Sequence, residues 1–537
     1  MTGSSIRVDV LIVGAGPTGL AVGHVLGRYG VRALIIEQSQ ARAAHPKAKF
    51  INLRSMAILR RWAVADRLAA AAPLPPDFPS DVHYVTSLTG EVLESVPAAF
   101  PTVRRPDDPY PVPALRIPQP VYERVLEEAL SEHETVTLRR GQRLDGLRLS
   151  ARGVAAEVSD VATGAKSSIE ARYLVGADGG RSTVRTLIDA TMTGDAAIAH
   201  SLGAVFRSPV LLDRVCIGPA VHYWVVNADL PATPGFGPLD QHGTWFFQAM
   251  GVPKDLPATT AQAESIVRTA LGAPVPFLVD DVAPWTVHHL QADRYQRGRA
   301  FLVGDAAHLH PPTGGFGLNM GLADAVDLGW KIAASVAGWA GPELLASYEL
   351  ERRPVHRATM AEAVRNFHNV DLRGVFGPAE DPRTRHRKLA EALRAGGPRY
   401  HDSVLTQLGY AYDHSTLVTP EPADKRPSMD YQPCAAPGYL LPHAWLEPTR
   451  STLDLLGDEF TLLSFGHGDT SAFVDTARAA RIPVRVVRYA DELVRDLLGR
   501  DLVLVRPDQH VAWRGDRIEA AGPALLRATG HEPALMA

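Results

Sequence analysis

Cysteine is almost missing from this sequence: Cys216 and Cys434 are the only two in 537 residues. That excludes a disulfide scaffold or a thiolate metal cluster and suits a reducing compartment, the cytoplasm. An excess of one charge is missing too. Lys and Arg number 55 against 59 Asp and Glu, a formal net charge of −4. Neither nucleic acid nor an anionic membrane has an electrostatic footprint to meet. No apolar run approaches the about 18 residues of a membrane span. The short run Asp9–Val13 passes into glycines and lacks a basic leader, so it reads as a buried strand rather than a signal peptide. Internal repeats and low-complexity tracts are absent. A hydrophobic fraction of 46% with 21% charged residues excludes a disordered chain. At roughly 150 residues per domain, the length predicts two to four domains.

What is present is glycine in ordered patterns. Gly14-Ala15-Gly16-Pro17-Thr18-Gly19 follows the strand Asp9–Val13 and opens a helix expected over Thr18–Tyr29. Gly14 permits the tight turn, Gly16 lets backbone approach a pyrophosphate, and Gly19 lets helix and strand pack closely. The helix N-terminus favours the anion. The next strand, Arg32–Glu37, ends on an acid placed to hold a ribose hydroxyl, which disfavours NADP here and leaves NAD or FAD. A second pattern is AFLVGDAAHLHPPTGGFGLNMG. Its strand Ala300–Val303 delivers Asp305 to a sheet edge, where a carboxylate can hold a polyol; a capping role is the plainer alternative. Its glycines let backbone N–H groups approach a flat ring, and the helix from Gly317 would stabilise negative charge there. A third pattern, GADGGRSTVR, places Asp178 after the strand Tyr173–Val175; alone it fits turn chemistry equally well.

Between Asp189 and Trp285 the texture changes. Apolar runs such as Val221–Asn227 and Thr244–Met250, split by Pro/Gly turns, predict an antiparallel sheet fit to carry a substrate. Phe206, His222, Tyr223, Trp224, Trp245, Phe247 and Met250 are its candidate liners, with Pro312 from the Pro/Gly loop. Strand side chains alternate, so about half of these must face elsewhere. His222 and His242 are candidate bases, and Arg54 a candidate catalytic cation. The bland readings are a hydrogen-bonded structural histidine and a salt-bridged arginine. His308 and His310 have metal-like spacing but no matching carboxylate cluster, so no metal is expected. Helices are expected over Ser55–Leu68, Pro120–His133, Gly317–Trp339 and Leu344–Phe367, with Trp330 in the core. Ala71–Pro113 reads as loops and edge strands, and Pro378–Arg399 as a linker. Beyond Tyr431, strands Phe460–Leu463, Val484–Val487 and Leu502–Val505 with a helix at Ser471–Ala480 read as a small α/β domain.

GAGPTG, GADGGRSTVR and GRAFLVGDAAH, in this order, resemble the class A flavin-dependent monooxygenases, the aromatic hydroxylases typified by p-hydroxybenzoate and phenol hydroxylases. HPKAKFINLRSMAILRRW and the Gln119 segment are similar to that family as well, and the likeness covers the whole chain. The tail resembles the thioredoxin-like domain of the phenol hydroxylase branch, marked by VRPDQHVAWRG at Val505–Gly515. Without a CxxC pair that domain is redox-inactive. The resemblance implies an α/β fold: a Rossmann-like FAD-binding domain (residues 1–188 and 291–400), an antiparallel-sheet substrate domain (189–290) and a C-terminal thioredoxin-like domain (401–537). It implies FAD as cofactor, NAD(P)H and O2 as co-substrates, and hydroxylation of a bulky aromatic of the polyketide, antibiotic-biosynthesis kind through a flavin C4a-hydroperoxide. Gly14, Gly16, Pro17, Thr18, Gly19 and Glu37 would hold the AMP half of FAD, with Lys47 near the pyrophosphate. Gln119 and Asp305 would meet the ribityl chain, the backbone of Gly317, Leu318 and Asn319 the pyrimidine edge, and Asp178 both FAD and NAD(P)H. Two positions depart from the family. Ala57 replaces a common Glu, and Lys49 stands where phenol hydroxylases carry a catalytic Asp, so the base does not carry over. Two alternatives stay open: a Baeyer–Villiger or rearranging oxygenase, and a non-catalytic flavin-binding protein. A halogenase is disfavoured by the lack of a WxWxIP segment. A homodimer is one open form of assembly.

Overall fold

The computed structural model describes residues 6–531, except 106–107, 216–217, 376, 378–379, 397–402, 422–430 and 467. Cys216 lies outside the described residues. The apolar run near the N-terminus becomes the strand Ile6–Val13, fully buried over its last four residues. It is the centre of five parallel strands ordered Ala300–Leu302, Lys166–Gly176, Ile6–Val13, Ala33–Glu37 and Val136–Arg140. Parallel strands need cover on their faces. The helices Pro17–Arg28 and Gly317–Ala337 pack on each other within that cover. They approach so closely that a Cβ at Gly329 would stand 2.5 Å from Val25 Cγ1.

The second sheet has eight strands: His308–Leu309, Leu278–Ala292, Met192–Arg207, Thr244–Val252, Gly235–Pro238, His222–Val225, Val82–Val85 and Val92–Val96. All neighbours run antiparallel except His222–Val225 and Val82–Val85. The expected antiparallel platform is therefore present, but it is not confined to 189–290. Two strands come from the stretch read as loops and edges, and one from the loop after Asp305. The helix Thr260–Leu271 covers one face, over Phe206, Tyr223, Phe236, Trp245 and Phe247. The other face looks toward the parallel sheet's loops.

Two local expectations are corrected. The stretch read as a linker contains the helix Pro382–Gly396. Proline is tolerated at a helix start, Thr384 N–H caps onto Asp381, and Leu389 is buried against Leu93 and Trp224 of the platform. The single helix expected over Ser55–Leu68 is two, Leu53–Arg61 and Ala65–Ala71, broken where Ala63 takes φ 58°.

The C-terminal sheet is ordered Val484–Arg488, Phe460–Ser464, Leu502–Val505 and Val511–Gly515. The first pair is parallel and the rest antiparallel, with helices Ser471–Ala479, Glu492–Leu498 and Ala521–Ala528 between and after. That connectivity is thioredoxin-like. The domain docks on the helix Gly317–Ala337, where Trp330 meets Phe460 edge-on at 5.7 Å. Among the described residues no helix is long and apolar enough to cross a membrane.

Candidate functional site

A cavity of about 600 Å³ runs from the first glycine turn to the open face of the platform. At the turn Gly14 has φ +105°, and a Cβ there would stand 2.4 Å from the Ala177 carbonyl oxygen. A Cβ at Gly19 would collide with Gly14 O at 1.9 Å, so helix and strand touch as the pattern requires. Gly16 is the contrast: nothing lies within 4 Å of its Cβ position. The open space faces the N-terminus of the helix Pro17–Arg28, where free N–H groups and the dipole favour an anion. Glu37 is held rigidly, its two oxygens accepting from Ala15 N–H at 2.9 Å and Ser39 N–H at 2.8 Å. Gln119 ties to Ala48 through backbone and side chain and donates to Glu123 at 2.8 Å. Lys47, Gln119, Gly317, Leu318 and Pro312 all line the cavity.

Asp305 also opens into the cavity and has no hydrogen-bond partner among the described residues. The protein around it nevertheless raises its pKa by desolvation, against the pull of His308 and Lys47. Asp178 lines the cavity but is largely engaged: Ser182 Oγ donates to one oxygen and Val184 N–H to the other at 3.0 Å, which anchors the short helix Thr183–Leu187. These donors oppose the desolvation that raises it. Open space before the N–H donors of a helix N-terminus, a fixed acid 23 residues past Gly14 and a carboxylate acceptor at Asp305 together fit a flavin dinucleotide.

The platform wall follows the strict alternation of strand side chains. His222, Trp224, Phe246 and Gln248 face the cavity. Tyr223, Trp245 and Phe247 point the other way, into the core beneath Thr260–Leu271. These three are corrected from substrate liners to core residues; Tyr223 spends its hydroxyl on the Gly218 carbonyl at 2.6 Å. Phe206 joins that core, and Met250 the cluster around Leu389. His242 is not part of the cavity wall. Phe246 and Gln248 were missed, although the period of two already set them opposite Trp245 and Phe247.

One further site expectation is corrected. Arg54 does not reach the cavity. It is buried and donates to the Asp508 carbonyl at 2.7 Å and to Gln509 Oε1, gripping the C-terminal domain. Asn319 is buried beside the cavity, accepting from Asn52 N–H at 2.9 Å and donating to the Phe50 and Gly315 carbonyls. Its side chain locks two loops together.

His308 and His310 diverge. His308 is buried against Asp324 at 3.0 Å, in a cluster with His356 and Arg352. His310 lines the cavity. Its Nδ1 donates to the Pro311 carbonyl at 2.7 Å, which leaves Nε2 an acceptor beside Gly317. Burial lowers its pKa to about 4, so the ring is neutral at pH 7.

Lys49 and Arg116 complete the platform end. The two-stranded ribbon Phe50–Ile51 with Leu115–Arg116 sets Phe50 opposite Arg116, so the adjoining Lys49 is brought near the guanidinium. Lys49 Nζ lies 4.2 Å from the Phe246 ring centroid and donates to Pro46 O at 3.1 Å. Arg116 Nη2 donates to Val221 O at 3.3 Å. Burial, reinforced by Arg116, lowers Lys49 to about 7, and burial lowers Arg116 to about 10. No carboxylate among the described residues is close enough to offset either.

Comparison with known proteins agrees with this geometry. The FAD binding domain family matches residues 7–363, and the aromatic-ring hydroxylase C-terminal family matches residues 435–531. The FAD-dependent monooxygenase apdD of Emericella nidulans is 32% identical over 97% of this chain and 90% of its own length. Aklavinone 12-hydroxylase DnrF of Streptomyces peucetius is 33% identical over 86% of this chain and 92% of its own. The structure of RebC with bound 7-carboxy-K252c superposes with a TM-score of 0.90 at 34% identity, covering 98% of this chain and all of that one. The chain belongs to the FAD-binding aromatic-ring hydroxylases and is an FAD-dependent monooxygenase of that family.

Proposed function

We propose that this chain hydroxylates a bulky, polycyclic, polyketide-type aromatic in the cytoplasm, using NAD(P)H as reductant and O2 as oxygen donor. One observation carries the reading: a single cavity joins the nucleotide turn to an aromatic wall of Trp224 and Phe246. Gly16, Pro17 and Thr18 would hold the pyrophosphate, Glu37 the ribose, Asp305 the ribityl hydroxyls, and the Gly317–Leu318 backbone the flavin ring. Bound FAD supplies the redox chemistry: reduced by NAD(P)H, it lets one oxygen atom of O2 enter the ring while the other leaves as water.

The chain's own work is placement and exclusion of water. Trp224 and Phe246 offer aromatic surface for a polycyclic ring, and Pro312 lines the same cavity. His310 Nε2, unprotonated at neutral pH, offers an acceptor next to Gly317 where a ring hydroxyl would meet the flavin. Asp178, fixed by Ser182 and Val184, shapes the turn rather than moving a proton. The boundaries 1–188, 189–290, 291–400 and 401–537 serve as a working division, with Val82–Val96 lending strands to the platform.

The test is a turnover of FAD-loaded protein with NAD(P)H and a panel of polycyclic phenols under ¹⁸O2. A product carrying one labelled oxygen supports the reading. NAD(P)H oxidation that yields peroxide with every aromatic, and no labelled product, overturns it.

A further inference from the structure

Buried cations in proteins are matched by acids, because desolvating an ammonium or guanidinium without a partner is costly. Lys49 and Arg116, half-buried where they line the platform end of the cavity, have no such acid beside them among the described residues. Desolvation and the neighbouring guanidinium both disfavour the charge on Lys49, and desolvation disfavours that on Arg116, with no acid opposing either. The cavity's acids, Glu37, Glu123, Asp178 and Asp305, belong to the dinucleotide end. Lys49 and Arg116 instead sit against Phe246 and Val221 and share the cavity wall with His222 and Trp224.

We propose that Lys49 and Arg116 form a subsite for a carboxylate carried by the aromatic substrate. This deepens the hydroxylase reading and rests on it for the identity of the ligand as a substrate. A carboxylate fits better than a ring hydroxyl for two reasons. It is charged at every working pH, so it can offset two cations without an ionisation cost. It also has two oxygens, one for the ammonium and one or both for the planar fork of the guanidinium. The remaining carbonyl bonds, Lys49 to Pro46 and Arg116 to Val221, use one donor each and leave the others for the ligand. The ring system attached to that carboxylate would lie along Phe246 and Trp224. The pair would fix which edge of the ring faces the flavin loop.

The experiment measures binding, without NAD(P)H, so a failure of turnover does not affect it. Anthracene-2-carboxylate and anthracene-2-carboxamide are titrated into the FAD-loaded protein and followed by quenching of probe fluorescence. The carboxylate is expected to bind at least ~10-fold more tightly than the amide, a gap of about 1.4 kcal/mol. K49M and R116M should each erase most of that gap, leave amide binding and FAD content unchanged, and K49R should restore it. Two results overturn the proposal: equal affinity of the two probes for the unmodified protein, or loss of FAD from K49M and R116M alike. The second would assign the cations to the cofactor. Loss of probe binding by both compounds in every protein would instead strike the aromatic-pocket reading and, with it, the subsite.

Discussion

Arg506 is fully buried and Arg116 half-buried in the cavity wall, and their surroundings differ in kind. Arg506 comes from the VRPDQH turn and enters a pocket between two long helices, Gly317–Ala337 and Ser347–His368. There it donates to both oxygens of Glu351, at 2.6 and 2.8 Å, to Asp327 at 3.1 Å and to Asp508 at 2.6 Å. Lys331 closes the cluster with bonds to Asp327 and Glu351. Burial and the crowd of acids raise Asp327 well above the usual carboxylate range even against Lys331, while Arg506 holds Asp508 well below it against burial. Arg116 has a carbonyl and an aromatic wall instead. The cluster is complete within the folded chain and joins two domains. The cavity pair is complete only with something from outside. Charge that is buried and balanced belongs to architecture; charge that faces a cavity unbalanced belongs to binding.

The acids of the first cluster, Asp327, Glu351 and Asp508, and the neighbouring set His308, Asp324 and His356 lie close enough to share an ion. In both sets the acid oxygens already accept from cations of the chain, Lys331 and Arg506 in one and Arg352 in the other. That is the arrangement of a docking network.

The comparison breaks first at Arg506. Arg506→Met strands Glu351 and Asp508 in the interior and should cost about 3–5 kcal/mol. Urea unfolding read by tryptophan fluorescence checks this, since Trp330 lies beside the guanidinium. A loss below about 1 kcal/mol would mean the network is not what holds the C-terminal domain down.

Asp305→Ala is next. It removes the cavity acid that has no hydrogen-bond partner among the described residues, so folding should be intact while FAD binds more weakly by about 1–3 kcal/mol, roughly 5- to 150-fold in Kd. Flavin fluorescence titration reads it directly. An unchanged Kd would remove Asp305 from the cofactor site.

Lys49→Met should go the opposite way to Arg506→Met. Removing a cation with no counter-charge is expected to leave stability unchanged or raise it by up to about 1 kcal/mol. The sign follows from linkage. The lysine's folded pKa, about 7, lies below its ordinary 10.5, so the cost of holding its charge is full below pH 7 and fades as pH rises toward 10.5. The advantage of the methionine should therefore be largest at pH 6 and smallest near pH 10 in thermal melts. A destabilisation comparable to that of Arg506→Met would show that Lys49 has a partner after all.

Much of the nucleotide half was legible because its residues are chosen by backbone needs. Gly14 and Gly19 stand where a Cβ would hit a carbonyl, and a strand ending on Glu37 follows at the right distance. Such constraints are local, so a short run of letters reports them. The platform was legible as a sheet but not as a wall. Alternation says that Trp224 and Trp245 of adjoining segments face one side or the other; only packing under Thr260–Leu271 says which. Arg54 was misplaced for a related reason. It belongs to a motif near the cofactor, but its partner Gln509 is 455 residues away. The function of VRPDQH was invisible for the same cause: Glu351 and Asp327 give no local sign of where Arg506 will land.

The smallest effect is the sharpest test of the contrast. With no carboxylate bound, Lys49 is half protonated near pH 7, whereas Arg116 keeps its charge to about pH 10. A bound carboxylate favours the ammonium and raises the lysine's pKa, so binding above pH 7 takes up a proton. The affinity for anthracene-2-carboxylate should be level below pH 7 and fall as pH rises beyond it, by at most about tenfold per unit. The fall should stop short of zero affinity, since Arg116 remains. In Lys49→Met the profile should be flat at the lower level, and the carboxamide's profile flat throughout. The balanced cluster offers no such titration in this range, because Arg506 is held protonated by three acids. A carboxylate profile that is flat in the unmodified protein would mean that Lys49 does not face the ligand and that Arg116 binds it alone.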